Sequence, residues 1–513
     1  MAGPYLLQLL GNMFVSLPFL VVFLAAIAGW FAVRSYYRLR QFKGPWLGSF
    51  SKLWMVRSTY HGRMHLDVAE VCQKYGNLAR IGPNDLITND PDILRRINGV
   101  RSPYTRSDWY NATAFDHKLS HVFCERDETR HVEMRNKLVP GYSGKENEHL
   151  EATIDHEFLS LFRLIRQKYT STATDFRPVD FARLCQFFTL DVISAVAFGE
   201  PMGFVAKDED VHGYIANQVA MLPVFEWLST LPILEKMLRI PFIAKFAMPS
   251  PEDKNGAGLL MGVARKMVAE RFGPNKKTKK DMLGSFLSHG VTRAEAEQET
   301  VLQIFAGSDT TATTIRTTVL FLITQPLALV KLQNELDQAE REGRLSRPIL
   351  TYEEAKSLPY LQACVKEGLR IWPPVMGLMQ KVVPPEGDTL DGRFVPGGTN
   401  IGYCAWGVHR RPETFGHDAE IFRPDRWLEG DPEGEKLQAM NRTHDLVFGS
   451  GRYACLGKPV AMIEVSKAIA EIFRRFDITI VDPSDPWQTV GRNGLFLQQE
   501  LDVRISERSS GKA

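Results

Sequence analysis

The chain has 513 residues, 44% of them hydrophobic, with 62 Lys and Arg against 60 Asp and Glu and a formal net charge of +2. That near balance offers no electrostatic footprint for a nucleic-acid backbone, while the length suits several average domains or one large core. Six cysteines, at 72, 124, 185, 364, 404 and 455, include no Cys-x-x-Cys pair, which argues against structural zinc and a compact disulfide framework and fits a reducing compartment.

Met1 to Val33 carries no Asp, Glu, Lys or Arg, and residues 14–33 form a twenty-residue apolar run. As a helix, such a run crosses a hydrocarbon core of about 30 Å. Arg34, Arg38, Arg40 and Lys43 follow, so the positive-inside rule places that end in the cytosol. A cleaved signal peptide would want a basic start and a shorter apolar core. The expected organisation is a short lumenal N-terminus (1–13), a single transmembrane anchor (14–33), a basic juxtamembrane linker (34–50), a catalytic body (51–505) and a disordered tail (506–513).

Beyond the anchor, a helical pattern covers Met64 to Tyr75, and short apolar or β-branched runs predict strands over 77–80 and 85–88. Residues 101–123 are irregular and aromatic, with Trp109, Tyr110 and Phe115; an ordinary surface loop fits, and a pocket wall is implied only by the family resemblance given below. A helix is predicted over 125–138, where His131 and Arg135 stand four apart on one face. Helical periodicity then dominates 150–198, and 201–256 mixes apolar patches with prolines. Lys276 to Lys280 reads as a solvated basic run.

Thr292 with Glu295 three places on forms a capping box that opens a long helix reaching Thr324, ahead of Pro326. Its middle reads Ala306-Gly307-Ser308-Asp309-Thr310-Thr311. Hydroxyls there compete for backbone carbonyls, which predicts a local opening; a glycine serving only helix packing is the alternative. Thr351 caps a second helix, and Pro359 opens the one that carries Glu367 and Arg370 on one face. Residues 422–427, Phe-Arg-Pro-Asp-Arg-Trp, bring in Arg426.

The chemistry concentrates in residues 448–457, Phe-Gly-Ser-Gly-Arg-Tyr-Ala-Cys-Leu-Gly. Cys455 sits among glycines at 449, 451 and 457, and a helix follows from Pro459. Glycines let backbone approach a large ligand closely, and a helix N-terminus favours thiolate over thiol. Within the following helix Val465, Ala468, Ile469, Ile472, Phe473 and Phe476 form an apolar stripe, leaving Glu464, Lys467, Glu471 and Arg475 as the expected solvated face. Phe496 is placed in a C-terminal turn.

This decapeptide resembles the haem-binding loop of the cytochromes P450, Phe-x-x-Gly-x-Arg-x-Cys-x-Gly. One position departs: Tyr453 stands two before the cysteine, and the arginine is one place earlier, at Arg452. The Ala306–Thr311 segment, the Glu367–Arg370 pair and the Phe422–Trp427 segment resemble three further family motifs, in order, over essentially the whole chain past residue 44. The resemblance implies a mainly α fold with small β-sheets (α+β) behind a single N-terminal transmembrane helix.

It also implies heme b, iron protoporphyrin IX, with Cys455 as axial iron ligand, Phe448, Gly449 and Gly457 around it, and Ala306 and Gly307 close to the haem face. Thr310 and Asp309 are carried over as the proton relay. Arg452, His131, Arg135 and Lys381 are carried over to the propionates; the Tyr453 hydroxyl is an alternative to the shifted arginine. Glu367, Arg370 and Arg426 take a structural role beneath the loop.

The activity so implied is monooxygenation, one oxygen atom of O2 entering an apolar small organic substrate by hydroxylation, epoxidation or demethylation. A thiolate ligand favours O–O cleavage, and the cleavage needs protons from groups such as Asp309 and Thr310. No strand-linked Gly-x-Gly-x-x-Gly is present, so electrons are expected from NADPH through a separate membrane-bound NADPH-cytochrome P450 reductase, docking on a basic face near Arg452 and Lys458. The resemblance places the enzyme, as a monomer, on the endoplasmic reticulum with its catalytic body facing the cytosol. The loop around 141–147 and the Gly-Arg-Tyr-x-Cys-Leu-Gly-Lys form of the haem loop resemble fungal members of the pisatin demethylase type, pointing to secondary-metabolite biosynthesis or to detoxification of a plant defence compound. A haem-thiolate isomerase or dehydratase needing no external electrons and a non-enzymatic haem sensor are the rival readings.

Overall fold

In a computed structural model describing residues 3–116, 118–274, 276–430, 434–492 and 494–508, the first helix, α1, runs Gly3–Arg38 without interruption. Its Phe19–Arg38 portion is long and apolar enough to cross a membrane. Most of the expected N-terminal segment thus belongs to the same helix, and the expected linker continues it through Arg38; Pro18 does not end it. The foot of α1 is tied to the body by Arg80, whose Nη2 donates to the carbonyls of Ser35 (3.1 Å) and Pro83 (2.9 Å).

The body continues through α2 (Leu53–Tyr60), α3 (Met64–Tyr75), β1 (Leu78–Gly82), β2 (Asp85–Thr88), β3 (Thr105–Arg106), α4 (Glu128–Tyr142), α5 (Leu150–Leu164), β4 (Val179–Asp180), α6 (Phe181–Phe198), α7 (Tyr214–Thr230), α8 (Gly256–Ala269), α9 (Arg293–Ile323), α10 (Pro326–Arg341) and α11 (Pro359–Ile371). It ends with β5 (Lys381–Val382), the hairpin β6 (Asp388–Leu390) and β7 (Arg393–Val395), β8 (Asn400–Tyr403), α12 (Lys458–Arg475), β9 (Phe476–Ile480), β10 (Gln488–Arg492), β11 (Leu495–Gln499) and β12 (Asp502–Glu507). The largest sheet has the order β1-β2-β8-β5-β3, and β4-β12-β9 and β10-β11 form two smaller ones. Helices dominate and the sheets are small, as the resemblance implied.

The central helix α9 packs against α6, α8, α11 and α12. Its start is the expected capping box, Thr292 and Glu295 each satisfying the other's backbone N–H. The helix α6 is as apolar as a membrane span yet is 94% buried inside the fold, so it is a core helix that is hydrophobic all round.

Several expectations are corrected. The helix at His131 begins at Glu128, where Asp127 caps it, not at 125. The run over 150–198 is broken by a π-helical turn at Ile165–Tyr169 and by β4. Phe496 is buried in β11, not in a turn. The tail expected from Ser506 is strand as far as Glu507, and Arg508 pairs with Asp337 at 2.6 Å; residues 509–513 lie outside the described residues.

The face of α12 expected in solvent is buried: Glu464, Lys467 and Glu471 have 2%, 0% and 0% exposure. The helix packs among α5, α9, α10 and α11; Lys467 and Glu471 are matched internally, whereas Glu464 keeps an unpartnered Oε2 and burial pushes its carboxyl well above the ordinary value. Lys467 pairs with Glu151 (2.6 Å) and Asp155 (2.5 Å), while Glu471 pairs with Arg475 (2.7 Å) and accepts from the Leu350 N–H (2.7 Å). Periodicity separates apolar from polar positions, but only the neighbours decide which polar positions meet water.

Candidate functional site

Five of the six cysteines are buried; Cys455 is exposed. Its loop is shaped by Gly449, at φ +71°, and is closed by the Cys455 N–H, which donates to the Phe448 carbonyl at 2.7 Å. A Cβ on Gly451, at φ +59°, would lie 2.1 Å from the Asn98 carbonyl oxygen, so that glycine seats the loop on the protein and not on a ligand. Gly457 precedes α12 at an ordinary φ of −78°. Desolvation by the surrounding protein pushes the thiol up, and the N–H groups of Gly457 and Lys458 and the Arg135 guanidinium oppose it. Sulfur at a helix N-terminus among such donors is disposed to carry charge once a cation meets it.

Ala306 is exposed and Gly307 and Thr310 are half-buried, while Ile304, Phe305, Ser308, Asp309 and Thr311 around them are buried. A strip of α9 therefore opens onto an interior cleft, and α9 packs against α12, which begins three residues after Cys455. The Thr310 hydroxyl donates to the Ala306 carbonyl at 2.8 Å and Ser308 donates to Ile304 at 2.8 Å. These bonds are absorbed without a break: α9 is continuous through the segment where an opening was expected. A Cβ on Gly307 would meet Ile193 of α6 at 2.8 Å, so the packing role holds for Gly307, and Ala306 is the residue of that pair exposed on the cleft. Asp309 points into the protein, its Oδ1 3.6 Å from Arg316 and its Oδ2 unpartnered; burial pushes the carboxyl up to about 6 against the pull of Arg316.

The cations expected near one another converge only in part. Arg135 donates from Nη1 to the Ala454 carbonyl at 2.7 Å and so braces the cysteine loop. His131 is buried, with Nε2 3.1 Å from Arg106 Nη2. Burial and then Arg106 push it down to about 3, which makes it a neutral acceptor from Arg106 whose Nδ1 has no partner. Lys381 donates to the Tyr110 hydroxyl at 2.7 Å; burial and then Arg106 hold its ammonium well below the ordinary value. Arg452 is not on an outer docking face: its Nη2 donates to the carbonyls of Ser102 (2.6 Å) and Tyr104 (2.8 Å).

Two members of this cluster went unread in the sequence, Arg106 and Glu128. Arg106 is 4% exposed and its Nε has no partner. It is brought to Lys381 by register, since β3 and β5 pair with Arg106 directly opposite Lys381. The only local signal was a basic residue in an aromatic stretch, and a two-residue strand has no periodicity to find. Arg106, Tyr110, Lys381, Ser450 and Tyr453 line a cavity of about 70 Å³. A second cavity, of about 30 Å³, is lined by Met64, Trp109, Met376, Leu378, Leu495 and Phe496, with Glu226, Ser229 and Thr230 on one side. The aromatic stretch is therefore wall and core: Trp109, Tyr110 and Phe115 are all buried.

On α11, Glu367 accepts from Arg370 (2.8 and 2.9 Å), Arg426 (2.9 Å), the Trp427 indole (2.9 Å) and the Arg423 N–H (2.8 Å). Burial opposes its charge, yet Arg370 and Arg426 hold the carboxyl below its ordinary value. The three residues expected to act together do so as a buried network.

Haem fits this site on its own chemistry. A flat dianionic cofactor needs a sulfur ligand and matched donors for two carboxylates. The cleft offers Cys455, and the buried Arg106 Nε and His131 Nδ1 have no hydrogen-bond partner among the described residues.

The family model described as Cytochrome P450 matches residues 42–505. The chain is 41% identical over 480 residues to Cytochrome P450 monooxygenase ABA1 of Pyricularia oryzae, covering 92% of this chain and 93% of that protein. It is 38% identical over 472 residues to Cytochrome P450 monooxygenase aba1 of Botryotinia fuckeliana, with coverages of 91% and 92%. With Cytochrome P450 monooxygenase AFLA_114810 of Aspergillus flavus the identity is 31% over 504 residues, with coverages of 95% and 96%. An exposed cysteine at a helix N-terminus, a proton-bearing strip on the helix packed against it, and relatives that match from end to end make one statement: the chain belongs to the cytochrome P450 family, as a monooxygenase of the fungal type.

Proposed function

We propose that this P450 monooxygenase oxidises a small, largely apolar organic molecule of fungal secondary metabolism, held above a haem ligated by Cys455. The observation that carries the reading is the exposure of Cys455, just ahead of α12, together with the open strip at Ala306 and Thr310 on α9, the helix packed against α12. Haem bound there supplies oxygen activation, with the thiolate favouring O–O cleavage. The chain's own residues supply position and protons. Cys455 is oriented by its N–H bond to Phe448 and by Arg135, which grips the adjacent Ala454 carbonyl. Asp309, held near about 6, can give and regain a proton around neutral pH. Thr310 can turn its hydroxyl from the Ala306 carbonyl towards the cleft.

The cavity bounded by Met64, Trp109, Met376, Leu378, Leu495 and Phe496 offers apolar walls suited to part of an apolar substrate, with Glu226, Ser229 and Thr230 on one side. Electrons come from NADPH through a separate membrane-bound reductase, with Lys458, paired to Asp445 at 2.9 Å, on the approach side. The apolar portion of α1 anchors the protein in the endoplasmic reticulum with its body in the cytosol.

The test is reconstitution of the full chain with haem and a fungal NADPH reductase. The reduced, carbon-monoxide-bound protein is expected to give the spectrum of sulfur-ligated haem, and Cys455→Ser to abolish it. Product formation is expected to need NADPH, reductase and O2 together. A folded, haem-loaded wild type without the sulfur signature, or turnover that needs no NADPH, overturns the reading.

A further inference from the structure

The position two before the cysteine, where the family motif has arginine, is Tyr453, and its surroundings are unusual. Lys381 Nζ lies 4.2 Å from the centre of its ring, Arg106 Cζ 4.6 Å and Arg452 Cζ 5.2 Å. The His131 ring is 5.5 Å away. Like charges crowded in this way repel, and an aromatic face is one of the few neutral surfaces that draws them together. The phenol hydroxyl donates to Glu128 Oε1 at 2.6 Å. That carboxylate also accepts the backbone N–H of Arg106 at 3.3 Å, and its nearest side-chain cation is Arg452, at 3.5 Å. Among the described residues it forms no ion pair with the Arg106 guanidinium or with Lys381.

Neither simple replacement for the family's arginine is therefore in place. Arg452 is spent on the carbonyls of Ser102 and Tyr104, and the tyrosine hydroxyl is spent on Glu128. What remains, among the described residues, is Arg106 with a buried Nε that lacks a hydrogen-bond partner, and Lys381 bound only to the neutral oxygens of Tyr110 and Met379. A group bearing two carboxylates would satisfy both.

We propose that Tyr453 is the positioning residue of this carboxylate site: its ring gathers Arg106 and Lys381, and its hydroxyl holds Glu128 off them, leaving both cations for the cofactor's propionates. The proposal rests on the haem-thiolate reading. Tyr453 thus replaces a direct ionic contact with an arrangement in which the charge comes from β3 and β5, and the acid that would compete for it is restrained.

The experiment measures haem release from the purified holoenzyme to excess apomyoglobin, with the carbon-monoxide spectrum recorded for every protein. Because a hydrogen bond to a charged group is worth about one factor of ten, Y453F is expected to release haem roughly tenfold faster than wild type. Replacing the freed acid should undo this: Y453F/E128Q is expected to return to within about twofold of wild type. Y453L, which also removes the ring, should release faster than Y453F, and E128Q should not rescue it. Release by Y453F at the wild-type rate, or a double variant no slower than Y453F, overturns the role of Tyr453. A wild type lacking the sulfur-ligated spectrum instead overturns the haem-thiolate reading, so the two failures are separable.

Discussion

Asp309 and Arg316 stand about two turns apart on one face of α9, 3.6 Å between Oδ1 and Nη1, and both are buried. Arg316 is itself fixed, donating from Nε to the Ala182 carbonyl at 3.0 Å and from Nη2 to Gln186. The acid is thereby held away from the open strip while its neighbour Thr310 lies on it, an arrangement suited to passing a proton by side-chain rotation.

Asp309→Asn keeps the shape and removes the exchangeable acid. Product formation is expected to fall on the order of 100-fold, the usual scale of a lost general acid, with the substrate-induced change in the haem spectrum intact. The pH–rate limb near about 6 should vanish as well. Thr310→Ala should instead leave oxygen consumption running while product per NADPH drops. Unchanged coupling in Thr310→Ala removes the role given to its hydroxyl.

Glu299, one turn or more before the open strip, is 1% exposed and accepts the Val122 N–H at 2.6 Å. Burial pushes its carboxyl up to about 7, with His121 and the Val122 N–H opposing. The folded state then binds more protons than the unfolded one between the ordinary value of 4.5 and about 7, so stability declines as pH rises across that window and is level above it. The decline attributable to this residue is on the order of 3 kcal/mol. His121, held neutral by its burial, works in the opposite sense on the acid side of its ordinary value. Thermal unfolding against pH isolates the acid: the gap between wild type and Glu299→Gln should widen in favour of the variant from pH 5 to about 7.5. A gap constant with pH refutes it.

The Glu367 network and the Lys331–Asp425 pair have similar contact distances, 2.8 and 2.5 Å, but 0% exposure on both sides in the first and 52% and 34% in the second. Arg370→Leu takes one of its two cations from a buried carboxylate and is expected to cost about 3 kcal/mol, with loss of haem-loaded protein. Lys331→Ala should change stability by less than about 1 kcal/mol. Denaturant unfolding of both variants checks the contrast, and equal effects would mean that burial does not set the worth of these two pairs.

Gly307→Ala sets two effects against each other. Alanine favours the helix by about 1 kcal/mol, but its Cβ would approach Ile193 Cγ1 to 2.8 Å, and overpacking costs about 1–3 kcal/mol. Net destabilisation is expected, partly recovered by adding Ile193→Val. A stabilised Gly307→Ala would show that α6 yields easily and that the glycine serves the cleft after all.

Much of the molecule was legible because its signals are local. The α9 capping box, the bounds of α3 and the Cys455 loop ahead of α12 depend on residues within a turn or two of one another, and all three stand as read. The Glu367 motif was legible by resemblance alone; two charges three apart do not reveal that Arg426, the Arg423 N–H and the Trp427 indole, from a distant segment, will also enclose the acid.

Sequence by itself determined the family, the sulfur, the acid and hydroxyl on α9, and the apolar helix at the N-terminus, since each is a matter of residue type at short spacing. Tertiary structure decided the rest. Register between two-residue strands put Arg106 opposite Lys381, enclosure by four helices turned the polar face of α12 inward, and the approach of α6 made Gly307 a packing residue. The physical reason is the same in each case: burial and electrostatic partnership are properties of the space around a side chain, and that space is filled by residues far away along the chain.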